Sequence, residues 1–167
     1  MKLNYSPEEL RDIAIRNLNE REVSVEDLSR LVYFLQKDYQ KDLTLEVCEK
    51  TVLSVLAKRE VVYAILTGIA LDKAAEKGDL EEPLLSLIKA DYKLYGIDEI
   101  IPLSIVNVYG SIGFTNFGYL DKVKPGIIAE LDKKDNKKVN TFLDDLVAAV
   151  ASGAASKLAH EAETSKK

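Results

Sequence analysis

A single cysteine, a single histidine and no surplus of basic side chains are the first things to notice, and each shortage closes off a class of function. With Cys48 alone, neither an intramolecular disulfide nor a cysteine-based zinc site can form. His160 has no second histidine to work with, and its place near the end of a helical pattern suits the helix dipole better than catalysis. Cys48 reads as a core residue, because no histidine lies near it to make it a nucleophile. Lys and Arg number 23 against 28 Asp and Glu, a net charge of −5, so the basic excess that nucleic-acid binding needs is missing. The same balance argues against anionic membrane surfaces. No Walker loop, dinucleotide fingerprint or nucleophile elbow occurs. The opening MKLNYSPEEL does not read as a signal peptide, and a reducing cytosol is the expected compartment.

What remains is helix. At 167 residues, 47% of them hydrophobic, the chain suits one core, and four prolines and eight glycines are too few for linkers or low complexity. Ser6-Pro7-Glu8-Glu9 and Ser24-Val25-Glu26-Asp27 are helix starts, the first helix running to about Arg21 and the second to about Tyr39. A long apolar pattern runs from Thr44 to Gly78, with a bend expected at Thr67-Gly68. Asp79 to Pro83 opens another helix, expected to end at Gly96. Lys133 to Lys138 reads as a solvated turn. A last helix begins at Asn140-Thr141 and continues through Leu143, Val147, Val150, Ala154 and Leu158; its many Ala, Ser and Gly residues let it pack deep inside. The expectation is an all-α, single multihelical domain of about six to eight helices: 1–42 a helical pair, 43–160 the core, 161–167 a frayed tail.

Ile100 to Leu120 runs 21 residues without a charge. Eight of them are Gly, Ser, Thr or Asn, and Pro102 interrupts the run, so the segment reads as a central buried helix rather than a membrane span.

Acids flank that segment. Asp98-Glu99 precedes it, Asp121 follows it, and Asp144-Asp145 opens the apolar last helix. Acids in a first turn suit the helix dipole, which alone accounts for four of the five. Converging oxygens would instead suit Mg²⁺ and the hydrolysis of a phosphate ester. Geometry separates the two readings: one unbroken helix would hold Asp98 and Asp121 about 35 Å apart, so a shared site requires a reversal, and Tyr109-Gly110-Ser111-Ile112-Gly113 is its natural place.

Phe117-Gly118-Tyr119-Leu120-Asp121-Lys122-Val123-Lys124-Pro125, with Leu143-Asp144-Asp145-Leu146-Val147-Ala148 about twenty residues later, resembles the C-terminal signature of the phosphatidylglycerophosphatase A family. Asp98-Glu99 resembles its upstream Asp-Glu pair. Gly96 to Glu99, Ser104 to Asn116 and Thr141 to Asp145 are similar to the soluble, YutG-like or low temperature requirement C branch. The several apolar spans and the Pro-Gly-Thr element of the membrane enzymes do not occur here. The resemblance implies an all-helical, Mg²⁺-dependent phosphatase acting on phosphatidylglycerophosphate or a related phosphate ester, with peripheral membrane contact. It implies that Asp98, Glu99, Asp121, Asp144 and Asp145 hold metal or activate water and that Lys124 meets the phosphate. The alternative is a non-catalytic regulatory protein that forms a homo-oligomer through its Ala/Gly-rich last helix.

Overall fold

The computed structural model describes residues 5–133 and 138–164, and among them no β-strand forms. The expected turn at 133–138 falls mostly outside the described residues. Ser6 and Ser24 each close a capping box, with Glu9 and Asp27 reaching back to the cap, and so begin α1 (Pro7–Glu20) and α2 (Val25–Gln36). Each cap contributes about 1 kcal/mol. Thr44 caps α3 (Leu45–Leu56). The expected bend at Gly68 does not occur. The chain instead breaks at Ala57-Lys58, and α4 (Arg59–Lys77) runs unbroken through Gly68. Gly68 serves packing: a Cβ there would lie 2.6 Å from Leu146 Cδ1.

After α5 (Leu84–Lys89), a loop leads to α6 (Ile97–Val106). Gly96 does not end the preceding helix; at φ 68° it starts α6. A 3-10 turn at Asn107–Tyr109 and Gly110 at φ 71° then turn the chain into α7 (Gly110–Val123). The five-residue α8 (Ile127–Leu131) and the long α9 (Leu143–Thr164) follow. Among the described residues, seven helices of ten residues or more thus make up the domain, with two short ones. The last helix continues to Thr164, and 165–167 lie outside the described residues.

The centre of the fold is α9. Fourteen of its 22 residues are buried, and α2, α3, α4, α6, α7 and α8 pack around it. Small side chains make that possible. A Cβ on Gly153 would fall 2.7 Å from Tyr109 Cδ2, so the aromatic ring lies against bare backbone.

The uncharged segment is not the central helix that its composition suggested. Ile97–Val123 is long and apolar enough to cross a membrane by length and composition, yet only 28% of its most apolar window is buried. It forms a hairpin on the outside of α9. On α7 the inward side holds Gly113, Phe117 and Leu120, while Phe114 and Tyr119 remain 43% and 48% exposed. Gly118, in mid-helix, is also exposed and would meet nothing within 4 Å if it gained a Cβ. A glycine there costs about 1 kcal/mol relative to alanine, with no packing gain inside the monomer.

Candidate active site

The first turn of α9 is anchored from two sides. The buried Asp72 carboxylate, on α4, accepts the backbone N–H of Phe142 at 3.1 Å and of Leu143 at 3.1 Å. A helix start leaves its first donors short of partners, and although the Leu143 N–H also reaches the Asn140 carbonyl at 3.1 Å, it is an acid from another helix that caps α9. Arg21, 5% exposed, donates to Glu76 at 2.6 Å, to Asn140 Oδ1 at 2.7 Å and to the Val139 carbonyl. Thr141 Oγ1 donates to the Ile88 carbonyl at 2.6 Å. The chain entering α9 is thereby fixed, and so are the two acids that follow.

Four of the five expected acids come together there. Asp145 is pushed up to about 9, first by burial and then by the charges of Asp144, Asp121 and Asp98. Asp98 is also raised, by burial and by Asp91 and Asp121. Such coupling over the intervening residues requires the reversal at Gly110, and the hairpin supplies it: Asp98 opens α6 and Asp121 lies in the last turn of α7. Glu99 stands apart. Its side chain is exposed, and its backbone N–H faces the Asp98 carboxyl.

Lys124 is the cation among these acids. Its Nζ lies 3.1 Å from Asp144 Oδ2, 3.0 Å from Asp132 Oδ1 and 3.5 Å from Asp121 Oδ1. Lys124 caps α7 in the left-handed region, at φ 46°, which turns the chain sharply before Pro125. Burial opposes its charge, but Asp144 and Asp132 outweigh burial and hold the ammonium well above its ordinary value. Asp144, 13% exposed, ends near 6 because burial raises it more than Lys124 lowers it.

Three acids of this neighbourhood carry no motif. Asp72 had a signal, as the one charge at helical spacing with Ile65, Ile69 and Ala75 on the apolar face of α4. Asp91 acts on both Asp98 and Asp144 from a loop, at φ 47°, and Asp132 follows the end of α8; neither stands out in sequence.

The donor set suits a hard cation. It is all oxygen, it holds more negative charge than one lysine neutralises, and Asp98 Oδ1 is buried without a hydrogen-bond partner among the described residues. Among the described residues, however, no three of His, Cys, Asp or Glu stand close enough to cage an ion as they are. Lys124 occupies the middle ground. Cys48 and His160 stay outside this chemistry: Cys48 is buried, its thiol pushed up to about 11 by burial, and His160 is exposed.

Fold and site together define a class: an all-α bundle that gathers buried carboxylates and one lysine at the N-terminal end of its central helix. The sequence profile of phosphatidylglycerophosphatase A matches residues 25–160, so the chain belongs to the phosphatidylglycerophosphatase A family. It is similar to protein YpjQ of Bacillus subtilis (strain 168), 57% identical over 156 residues that cover 93% of this chain and 88% of YpjQ. Protein YutG of the same organism is 54% identical over 145 residues, 87% of each chain. The crystal structure of low temperature requirement C protein from Listeria monocytogenes superposes with a TM-score of 0.90 at 56% identity, covering 92% of this chain and 97% of that one.

Proposed function

We propose that this protein is a Mg²⁺-dependent phosphomonoester hydrolase that removes the terminal phosphate of phosphatidylglycerophosphate or a related phosphate ester. The observation that carries this reading is the pairing of Lys124 with Asp121 and Asp144, beside an Asp145 whose charge is opposed by Asp144, Asp121 and Asp98, in a chain of this family. The four acids would hold the cation, with Glu99 left at the surface. Mg²⁺, when bound, supplies positive charge to the phosphate oxygens as the ester bond breaks.

Lys124 is the side chain for the phosphate. An ammonium held among carboxylates by three ion pairs can release one of them to an incoming phosphate oxygen without leaving its place. Asp144, near 6, is the acid best matched to taking a proton from an attacking water at neutral pH. A lipid ester in particular is supported by the rim: Tyr92, Leu94, Ile97 and Ile100 are 46–87% exposed and lie in sequence between and beside Asp91 and Asp98. Exposed apolar side chains beside an acid site suit a substrate with an apolar tail.

Phosphate release from phosphatidylglycerophosphate in Mg²⁺, together with a panel of soluble phosphate monoesters, tests the reading. Turnover lost in Asp144→Asn supports it, and turnover only on soluble esters moves the substrate away from lipid. No release from any ester overturns it. The completeness of Lys124's own ion pairs favours a second reading, a non-catalytic helical protein whose acids are neutralised from within. That protein would keep the same melting temperature through a Mg²⁺ titration, whereas a cation that binds only the native state must raise it.

A further inference from the structure

We infer that Arg21, which precedes the residues 25–160 matched by the family profile, is a positioning residue for the Lys124 site. Arg21 caps the C-terminal end of α1 and reaches the segment that enters α9, 118 and 119 positions further along the chain. With Glu76 of α4 it takes up both backbone groups of Val139: Glu76 Oε1 accepts the Val139 N–H at 2.8 Å, and the guanidinium donates to the Val139 carbonyl. The same guanidinium nitrogen donates to Asn140 Oδ1 at 2.7 Å. From Asn140 the connection divides. Its Nδ2 donates to the carbonyl of Leu131, the neighbour of Asp132, at 3.2 Å, and its own carbonyl accepts the Asp144 N–H at 3.4 Å. Asp132 and Asp144 are the acids that stand 3.0 and 3.1 Å from Lys124 Nζ, nearer than Asp121. Through Asn140, one buried side chain thus bears on both of them.

Two observations separate this role from the attachment of α1. That helix is already held on α4, because Leu10, Ala14 and Leu18 are buried and Lys73 of α4 donates to Asn17 at 3.0 Å and to Glu20 at 2.8 Å. Arg21 adds little to that hold. Its side chain is 5% exposed and its Nε is buried without a partner among the described residues, and a buried guanidinium with a donor left over gives little net stability for the water it gives up. What the planar fork supplies is direction: one rigid group meets acceptors on Glu76, Val139 and Asn140 at once, which a lysine ammonium on a flexible stem does not fix.

Two readouts on the full chain test the role. The first is the NMR signal of the Lys124 ammonium nitrogen, assigned by its loss in Lys124→Arg and visible because carboxylates that hold the ammonium slow its exchange with water. The second is kcat/KM for phosphate release in Mg²⁺, and this arm alone rests on the phosphatase reading. Arg21→Lys should shift or broaden away the Lys124 signal and lower kcat/KM about tenfold or more, at a temperature where circular dichroism shows the variant folded. Asn140→Ala cuts the connection with Arg21 in place and should reproduce both effects, which keeps the inference open to test should Arg21→Lys not fold. Lys73→Met, which loosens α1 without touching the connection, should lower the melting temperature and leave the Lys124 signal where it is. A signal unmoved in Arg21→Lys and Asn140→Ala, or moved equally by Lys73→Met, overturns the inference. So does a kcat/KM that stays within about twofold of wild type in both site variants. A Lys124 ammonium invisible in the wild type overturns it too, since no held cation would be there to position. A wild-type chain that hydrolyses no ester defeats the phosphatase reading alone, and the ammonium signal still decides the role of Arg21.

Discussion

At its N-terminal end, α9 carries Asp144 and Asp145 into a neighbourhood of further acids answered by one lysine. Near its C-terminal end, Lys157 donates to Ser54 Oγ at 2.6 Å and pairs with Glu161 at 3.7 Å, beside an open recess of about 740 Å³ that exposes His160 to water. The same helix thus has one end where burial and charge conflict and one where the charges have partners or solvent. Tyr109, lining that recess, is pushed up to about 12, first by burial and then by Glu60, and keeps its proton throughout the physiological range. Unrelieved charge is confined to the end where the family signature lies, and it is there that added cations, protons or substitutions should act.

The contrast can be broken most severely at Asp72. Asp72→Ala takes the acceptor from the Phe142 N–H at a buried helix start and leaves Leu143 only the Asn140 carbonyl, and should lower stability by about 2 kcal/mol in urea unfolding. Lys124→Met comes next, at about 2 kcal/mol near pH 8, because Asp144 would remain largely buried without its cation. That loss should shrink below about pH 6, where Asp144 takes up a proton and needs no partner.

A subtler test is the pH dependence of the divalent-free protein. Asp72 and Asp145 are raised to about 8 and about 9, above their unfolded values, so the folded chain holds protons that the unfolded chain has released. Their contribution is fully present below about pH 4 and is lost as pH rises through 8 to 9. The melting temperature in EDTA should therefore fall between pH 6 and pH 8.5, by about 2–4 °C for each kcal/mol lost, and Asp145→Asn should flatten the slope. A rise with pH would contradict the crowding of acids. The smallest effect belongs to the other end: Lys157→Met should change stability by no more than about 0.5 kcal/mol, with little dependence on pH.

Local signals in the sequence predicted local structure well. Ser6 with Glu9 and Ser24 with Asp27 announced two helix starts, and the small residues of 148–156 announced a deeply packed helix. The break at Ala57-Lys58 was hidden, because Ala, Lys, Arg and Glu all favour helix and Lys58 starts α4 without a side-chain cap. Tertiary packing decides it, with Val55-Leu56 and Val61-Val62 buried on either side of the turn. The apolar hairpin was misjudged for a related reason: absence of charge shows what a segment can bury, not whether its own chain covers it. Of the site, the motif acids were legible, whereas Asp72, Asp91 and Asp132 reach it from α4 and two loops, a convergence that no local spacing records.

The ring of Tyr109 lying on Gly153 has a consequence for how this chain can change over evolutionary time. Between Asp145 and Gly153 nearly every side chain is enclosed, so one inserted residue would rotate everything beyond it by about 100° and drive a side chain into that ring. The interval works as a ruler of fixed length. Descendants of this sequence should vary the length of exposed connections such as 37–42, between α2 and α3, more readily than the count from the acids to the glycine.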